Sequence, residues 1–133
     1  MIQTFDFGPV ISNEVVTFRL WAPLQKCVGI RINDEEPRQM DRNAEGWHSF
    51  SQTDLPSATY YKFVLADGLE VPDPASRFQP KDVHGPSELI DLSAFDWQCR
   101  DWAGRPWEDT VLYELHIGTF TKEGTFTSAM ERL

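Results

Sequence analysis

The segment Val15-Val16-Thr17-Phe18-Arg19-Leu20-Trp21 alternates, with Val16, Phe18 and Leu20 on one face, and Pro23 stops it. A period of two sends successive side chains to opposite faces of a strand, so the segment reads as half-buried β structure. Cys27-Val28-Gly29-Ile30-Arg31-Ile32 repeats the pattern, and the polar stretch Asn33 to Pro37 follows it as a turn. Two strands so close together suggest an antiparallel pair. Further strands are expected over Gly46 to Ser51 and Thr59 to Leu65, both rich in aromatic or β-branched residues. Asp67-Gly68 supplies a turn able to reverse the chain into Leu69-Glu70-Val71. Short strands separated by turn chemistry predict a mainly β fold, an immunoglobulin-like sandwich, with no helix before residue 120.

The character changes from Pro72 to Pro86, where Pro72, Pro74, Pro80 and Pro86 remove ladder donors and force extended or turn geometry. Val71, Phe78 and Val83 are the expected apolar anchors of an ordered loop, and Ser87 to Asp91 returns it to the sheet. Trp97, Trp102 and Trp107 follow at a spacing of five, which scatters them by about 140° per step around a helix and excludes a helical face. They read as separate plugs in a connecting segment bent at Gly104 and Pro106.

Val111-Leu112-Tyr113-Glu114-Leu115-His116-Ile117 is a mostly apolar run bounded by Gly118, suited to a strand buried on both faces. Beyond it Thr125 or Thr127 can cap a helix that carries Phe126, Ala129, Met130 and Leu133 at helical spacing. A lone βα unit has no second parallel strand to pair with. It reads as the opening of a larger α/β domain, the other reading being a terminal strand and helix packed on the sandwich.

A formal charge of -9 argues against a phosphate-backbone partner and against anionic membranes, because both are held by Lys and Arg. The start Met1 to Phe5 lacks a basic segment followed by a long apolar stretch, so export is not expected, and no window approaches the roughly 18 apolar residues of a membrane span. A cytoplasmic location is expected. Cys27 and Cys99 show no CxxC spacing; spacing alone leaves a disulfide open, and reduced thiols are the simpler reading. His48, His84 and His116 lack partners at ligand spacing, so neither metal nor cofactor is expected. No GxSxG elbow or phosphate-cradling GxxxxGK[ST] loop is present.

Several segments together resemble one family. Phe18-Arg19-Leu20-Trp21-Ala22-Pro23 is similar to the opening strand of carbohydrate-binding module family 48, whose members precede the barrel in enzymes of glycoside hydrolase family 13. Val71-Pro72-Asp73-Pro74-Ala75-Ser76-Arg77-Phe78-Gln79-Pro80, Trp102-Ala103-Gly104-Arg105-Pro106-Trp107 and Tyr113-Glu114-Leu115-His116-Ile117-Gly118-Thr119-Phe120-Thr121 resemble the maltooligosyl trehalose trehalohydrolase subgroup. The resemblance implies an immunoglobulin-like (E-set) sandwich over 1–92, a connecting segment over 93–109, and over 110–133 the truncated βα start of a (β/α)8 barrel. It implies a parent glycosidase that hydrolyses the α-1,4 bond releasing trehalose, with α-glucan or maltooligosyl trehalose bound by the barrel. A branching or debranching parent is the alternative within the enzyme class, and a glucan-binding or scaffold module the alternative outside it.

Retaining glycosidases need two carboxylates about 5–5.5 Å apart. In the family these sit on later barrel strands, so no catalytic residue is carried onto this sequence and the chain alone is expected to be inactive. Glu114, a single carboxylate on the expected first barrel strand, reads as structural. His116 is the histidine with a plausible active-site neighbourhood, near the end of that strand. Trp21 is expected to pack in the core or at the module boundary. Trp47 is expected to pack as well, and it is the candidate substrate-binding residue should it face outward onto a sugar ring. Trp97, Trp102 and Trp107 are expected to seal sandwich against barrel, and a barrel-facing surface left uncovered offers a route to self-association.

Overall fold

The alternating segments pair as strands in the computed structural model of the chain, which describes residues 7–99 and 101–133. The chain divides into two compact units, Met1–Asp96 and Trp97–Leu133. Among the described residues the first unit contains β1 (Val10–Ser12), β2 (Val15–Trp21), β3 (Val28–Ile32), β4 (Arg38–Gln39), β5 (Asp41–Arg42), β6 (Trp47–Thr53), β7 (Tyr60–Leu65), β8 (Glu70–Val71) and β9 (Ser87–Glu88). One antiparallel sheet runs β1-β2-β6-β5 and the other β4-β3-β7-β8, with β9 also on β7.

The expected β-sandwich is therefore present. The pairing of β2 with β3 is not: β2 pairs with β6 and β3 with β7, one in each sheet. Pro23 has no N–H to extend the β2 ladder. The chain turns at once, Gln25 donating its amide to Ala22 O at 3.0 Å, and crosses to the other layer. The alternation is satisfied across the sandwich, where Val16, Phe18 and Leu20 meet Val28, Ile30, Ile32, Tyr61 and Phe63 in one buried cluster. Phe18 and Tyr61 stack with ring centroids 4.8 Å apart.

β8 and β9 share one edge of β7, pairing at Phe63–Val64 and at Tyr60–Tyr61. The proline-rich segment 72–86 is the excursion between them. Its expected apolar anchors hold only in part: Val71 packs against the core, while Phe78 is 45% and Val83 71% exposed. Polar groups hold the loop instead, as described below. The Asp67-Gly68 turn forms as expected, with Gly68 at φ +85° and its amide donating to Leu65 O at 2.9 Å. Gly46 is fixed more severely. It sits at φ +88°, and a Cβ there would lie 2.6 Å from the Cα of Pro23.

In the second unit Val111 to His116 form no strand, contrary to the sequence expectation, and Val111, Leu112 and Tyr113 are exposed. A strand exists by pairing, and no ladder reaches this run among the described residues. A one-turn helix, α1 (Ile117–Phe120), forms where none was expected, with His116 at its N-cap. The expected helix is α2 (Phe126–Met130). Thr125 caps it through a reciprocal capping box, its side chain accepting from the Ser128 amide while Ser128 Oγ accepts from the Thr125 amide. Of its apolar stripe Ala129 is buried; Phe126 and Met130 stand exposed.

Candidate functional site

The outward face of the four-stranded sheet carries two tryptophans, Trp21 and Trp47, at one end. In β2 the residues Val16, Phe18 and Leu20 point inward, so period two sends Arg19 and Trp21 outward. Trp21 is thus 56% exposed rather than packed in the core. Antiparallel register places it opposite Trp47 of β6, and Arg19 opposite Ser49. Trp47 also faces outward, and is half-buried. The Arg19 guanidinium lies 4.4 Å from the centroid of its ring, in cation–π geometry, and the Phe7 ring stands 5.5 Å away. The Trp21 indole N–H donates to Glu45 O at 3.2 Å.

Beside this patch a cleft of about 280 Å³ is lined by Phe7, Arg19, Leu20, Trp21, Asp73, Pro74 and Ala75. Its far wall is the start of the proline-rich loop, held by a buried polar cluster. Asp73 is 4% exposed; its carboxylate accepts from Tyr61 Oη at 2.8 Å and from the Ala75 amide at 2.7 Å. The Asp73 amide donates to Ser87 Oγ at 3.0 Å, closing the base of the loop. Burial pushes the Asp73 carboxyl above the usual Asp value, against the opposing pull of the Ala75 amide, the Tyr61 hydroxyl and the Arg77 charge. Burial first, then the Asp73 charge, push the Tyr61 phenol upward, so it stays a neutral donor. Arg77 donates to Phe7 O and Pro9 O, each at 3.3 Å, and ties the segment before β1 to the loop. Gly8 permits this approach: a Cβ there would fall 2.9 Å from both Ala75 O and Arg77 Nη1.

A larger groove of about 560 Å³ lies over the five-stranded sheet, lined by Arg31, Tyr60, Lys62, Glu70 and Lys81 among others. It combines charged groups with the Tyr60 and Tyr61 rings, and Arg31 Nε pairs with Glu70 at 2.8 Å.

The remaining candidates do not converge. His48 is fully buried, its Nε2 3.3 Å from Ala22 O and its Nδ1 without a hydrogen-bond partner in the described structure. His84 and His116 are exposed, and so is Glu114. No group of three or more His, Cys, Asp or Glu among the described residues could hold a metal ion. Cys27 and Cys99 are free, exposed thiols. Trp97, Trp102 and Trp107 are exposed. No helix among the described residues is long and apolar enough to cross a membrane. Sequence reasoning quoted Asp73 and Arg77 as parts of a motif without seeing their work. The available signal was a charged residue between two prolines next to the strand residue Val71, a place where an acid must find buried donors.

The chain is 42% identical over 127 residues, 96% of its length, to the malto-oligosyltrehalose trehalohydrolase of Saccharolobus solfataricus. It is 43% identical over 125 residues to the enzyme of the same name from Deinococcus radiodurans. The chain is homologous to the trehalohydrolases along nearly its whole length. It spans 22% and 20% of those two trehalohydrolases, so what it shares with them is a part and not the whole. A solved structure from Salmonella typhimurium, provisionally described as an alpha amylase, matches 98% of the chain at a TM-score of 0.83 and 42% identity, and the match covers 22% of that protein. No family model matches the sequence.

Proposed function

We propose that this chain is the N-terminal accessory module of a trehalohydrolase-like glycosidase, which hydrolyses the α-1,4 bond of maltooligosyl trehalose and releases trehalose. The observation that carries the reading is 42% identity along 96% of the chain against only 22% of the Saccharolobus trehalohydrolase. On this reading residues 1–92 are the immunoglobulin-like sandwich, 93–109 the connecting segment and 110–133 the first strand and partial helix of the catalytic barrel. The exposed run Val111 to Tyr113 fits a barrel strand whose neighbours come from elsewhere in such an enzyme. The parent acts in the cytoplasm.

The chemistry needs two carboxylates about 5–5.5 Å apart across the scissile bond. Asp73, the buried carboxylate of the sandwich, spends its oxygens on Tyr61 and the Ala75 amide and serves as a loop anchor. The module's contribution is then positional. Its sheets hold a rigid surface, and hydrolysis, with the α-glucan contacts that go with it, belongs to the barrel. The test is trehalose release from maltooligosyl trehalose by the product of the full reading frame beside this 133-residue chain. Release by the longer product alone agrees with the proposal, whereas hydrolysis by the 133-residue chain, or branching activity in the longer product, refutes it.

A second reading, a glucan-binding module, is favoured by one observation: Trp47 faces outward. Arg19 and Phe7 already stand against its ring, at 4.4 Å and 5.5 Å from the centroid, and compete with a pyranose for it. Affinity electrophoresis in amylopectin separates the two. Retardation lost in Trp47→Ala, with the fold intact, supports glucan binding, and free migration supports a positioning module.

A further inference from the structure

The two outer faces of the sandwich differ in chemistry. On the five-stranded sheet the outward positions include Tyr60, Val64, Arg31, Lys62 and Glu70, with Arg31 and Glu70 paired, a face with more charge than the other. At one end of the four-stranded sheet the outward positions are Trp21 and Trp47, joined by Phe7 at 57% exposure and bordered by the Pro74–Ala75 wall of the cleft. A contiguous exposed aromatic patch with a polar rim marks an interaction surface.

The patch is also stiff. Trp21 donates to Glu45 O, Trp47 contacts both Arg19 and Phe7, and Arg77 ties Phe7 to the loop that Asp73 anchors. Side chains already held in place lose little freedom on binding, so such a surface is organised for a partner before the partner arrives. Arg19 stands at its rim, its guanidinium 4.4 Å from the Trp47 ring centroid, and brings a positive charge of the kind that recognises a carboxylate.

We propose that the Phe7–Trp21–Trp47 patch and the adjoining cleft are the dock for the folded remainder of a trehalohydrolase-length chain. That partner meets it with an apolar patch bordered by a carboxylate opposite Arg19. The inference rests on the accessory-module reading above. The occupant follows from the comparison: 98% of this chain is matched at a TM-score of 0.83 inside the Salmonella protein, where the match accounts for only 22% of that protein. Most of such a protein lies outside the match, and contacts between domains of one chain typically bury roughly 600–1,500 Å². Of the two outer faces, the aromatic one gains from being covered, and the ion-paired one loses.

Hydroxyl-radical footprinting tests this. The 133-residue chain is compared with a chimera in which it replaces the matched region of the Saccharolobus trehalohydrolase, trehalose release being measured on the same chimera. Oxidation of Trp21 and Phe7 is expected to fall in the chimera to the level of buried Phe18, while Tyr60 and Leu69 keep the reactivity they have in the chain alone. In the chimera Arg19→Ala lowers the melting temperature, and in the isolated chain it shifts the melting temperature less. Trp21 and Phe7 equally reactive in both proteins overturn the proposal, as does a chimera that does not fold. Concentration-dependent protection in the isolated chain, with none added in the chimera, makes a second copy the occupant and also overturns it. Protection without trehalose release leaves the dock standing and removes the assigned activity; trehalose release with Trp21 still reactive does the reverse.

Discussion

Tyr61→Phe removes one oxygen from the centre of the sandwich and tests whether Asp73 anchors the proline-rich loop. The Tyr61 hydroxyl donates to Asp73 at 2.8 Å, and both groups are almost wholly buried. A hydrogen bond to a charged group contributes about 1.5–3 kcal/mol, and its loss here strands a carboxylate away from water. A loss of about 2 kcal/mol lowers the melting temperature of a domain this size by roughly 10 °C. The pH dependence gives the sign. Asp73 has a raised carboxyl pKa in the folded state, so its stabilising contribution is complete below the unfolded value and is lost as pH rises through the folded one. Deleting Tyr61 removes an interaction that opposes this rise, pushing the folded value higher still. The gap between wild type and variant is therefore wider at pH 7 than at about pH 3, below the ordinary Asp value. Urea unfolding at both pH values, analysed with a common slope, reads it. A variant as stable as wild type at pH 7, or a gap that does not narrow in acid, refutes the reasoning.

Other positions give independent checks. Gly46→Ala forces a Cβ to within 2.6 Å of Pro23 at a φ of +88°, and destabilises the sandwich by about 1–3 kcal/mol or more by thermal melting. Arg77→Lys cannot reproduce the two bonds to Phe7 O and Pro9 O, so amide exchange at Phe7, Gly8 and Val10 accelerates while the melting temperature of the core changes little. Thr125→Ala breaks the capping box and weakens α2 by about 0.5–2 kcal/mol, seen as faster exchange confined to the second unit.

The sandwich was legible because its signal is local. Val16, Phe18 and Leu20 announce both a strand and the face it buries, and the structure buries all three. Asp67-Gly68 and the Thr125 cap were likewise readable, since turn and cap chemistry are matters of a few neighbouring residues. Pairing was not. β2 and β3 are sequence neighbours in separate sheets, because alternation fixes which side of a strand is inward and says nothing of which strand lies beside it. The same pattern, followed one residue further, puts Trp21 outside; reading it as a core tryptophan gave hydrophobicity precedence over register. The run from Val111 failed as a strand for a different reason. Apolar content gives the tendency, but a strand needs a ladder partner, and that is not a local property. Of the candidate site, Trp47 was readable as a residue and not as a cluster, since Arg19 and Phe7 reach it only through register and through the Arg77 tether.

The most direct test of the central claim is a graft into two hosts. The 133-residue chain replaces the matched region of the Saccharolobus trehalohydrolase in one chimera and the equivalent module of a glycogen branching enzyme in another, with trehalose release and branch formation measured on both. The account predicts trehalose release from maltooligosyl trehalose in the first chimera and no activity in the second. Branch formation in the second, with the first inactive, would contradict it.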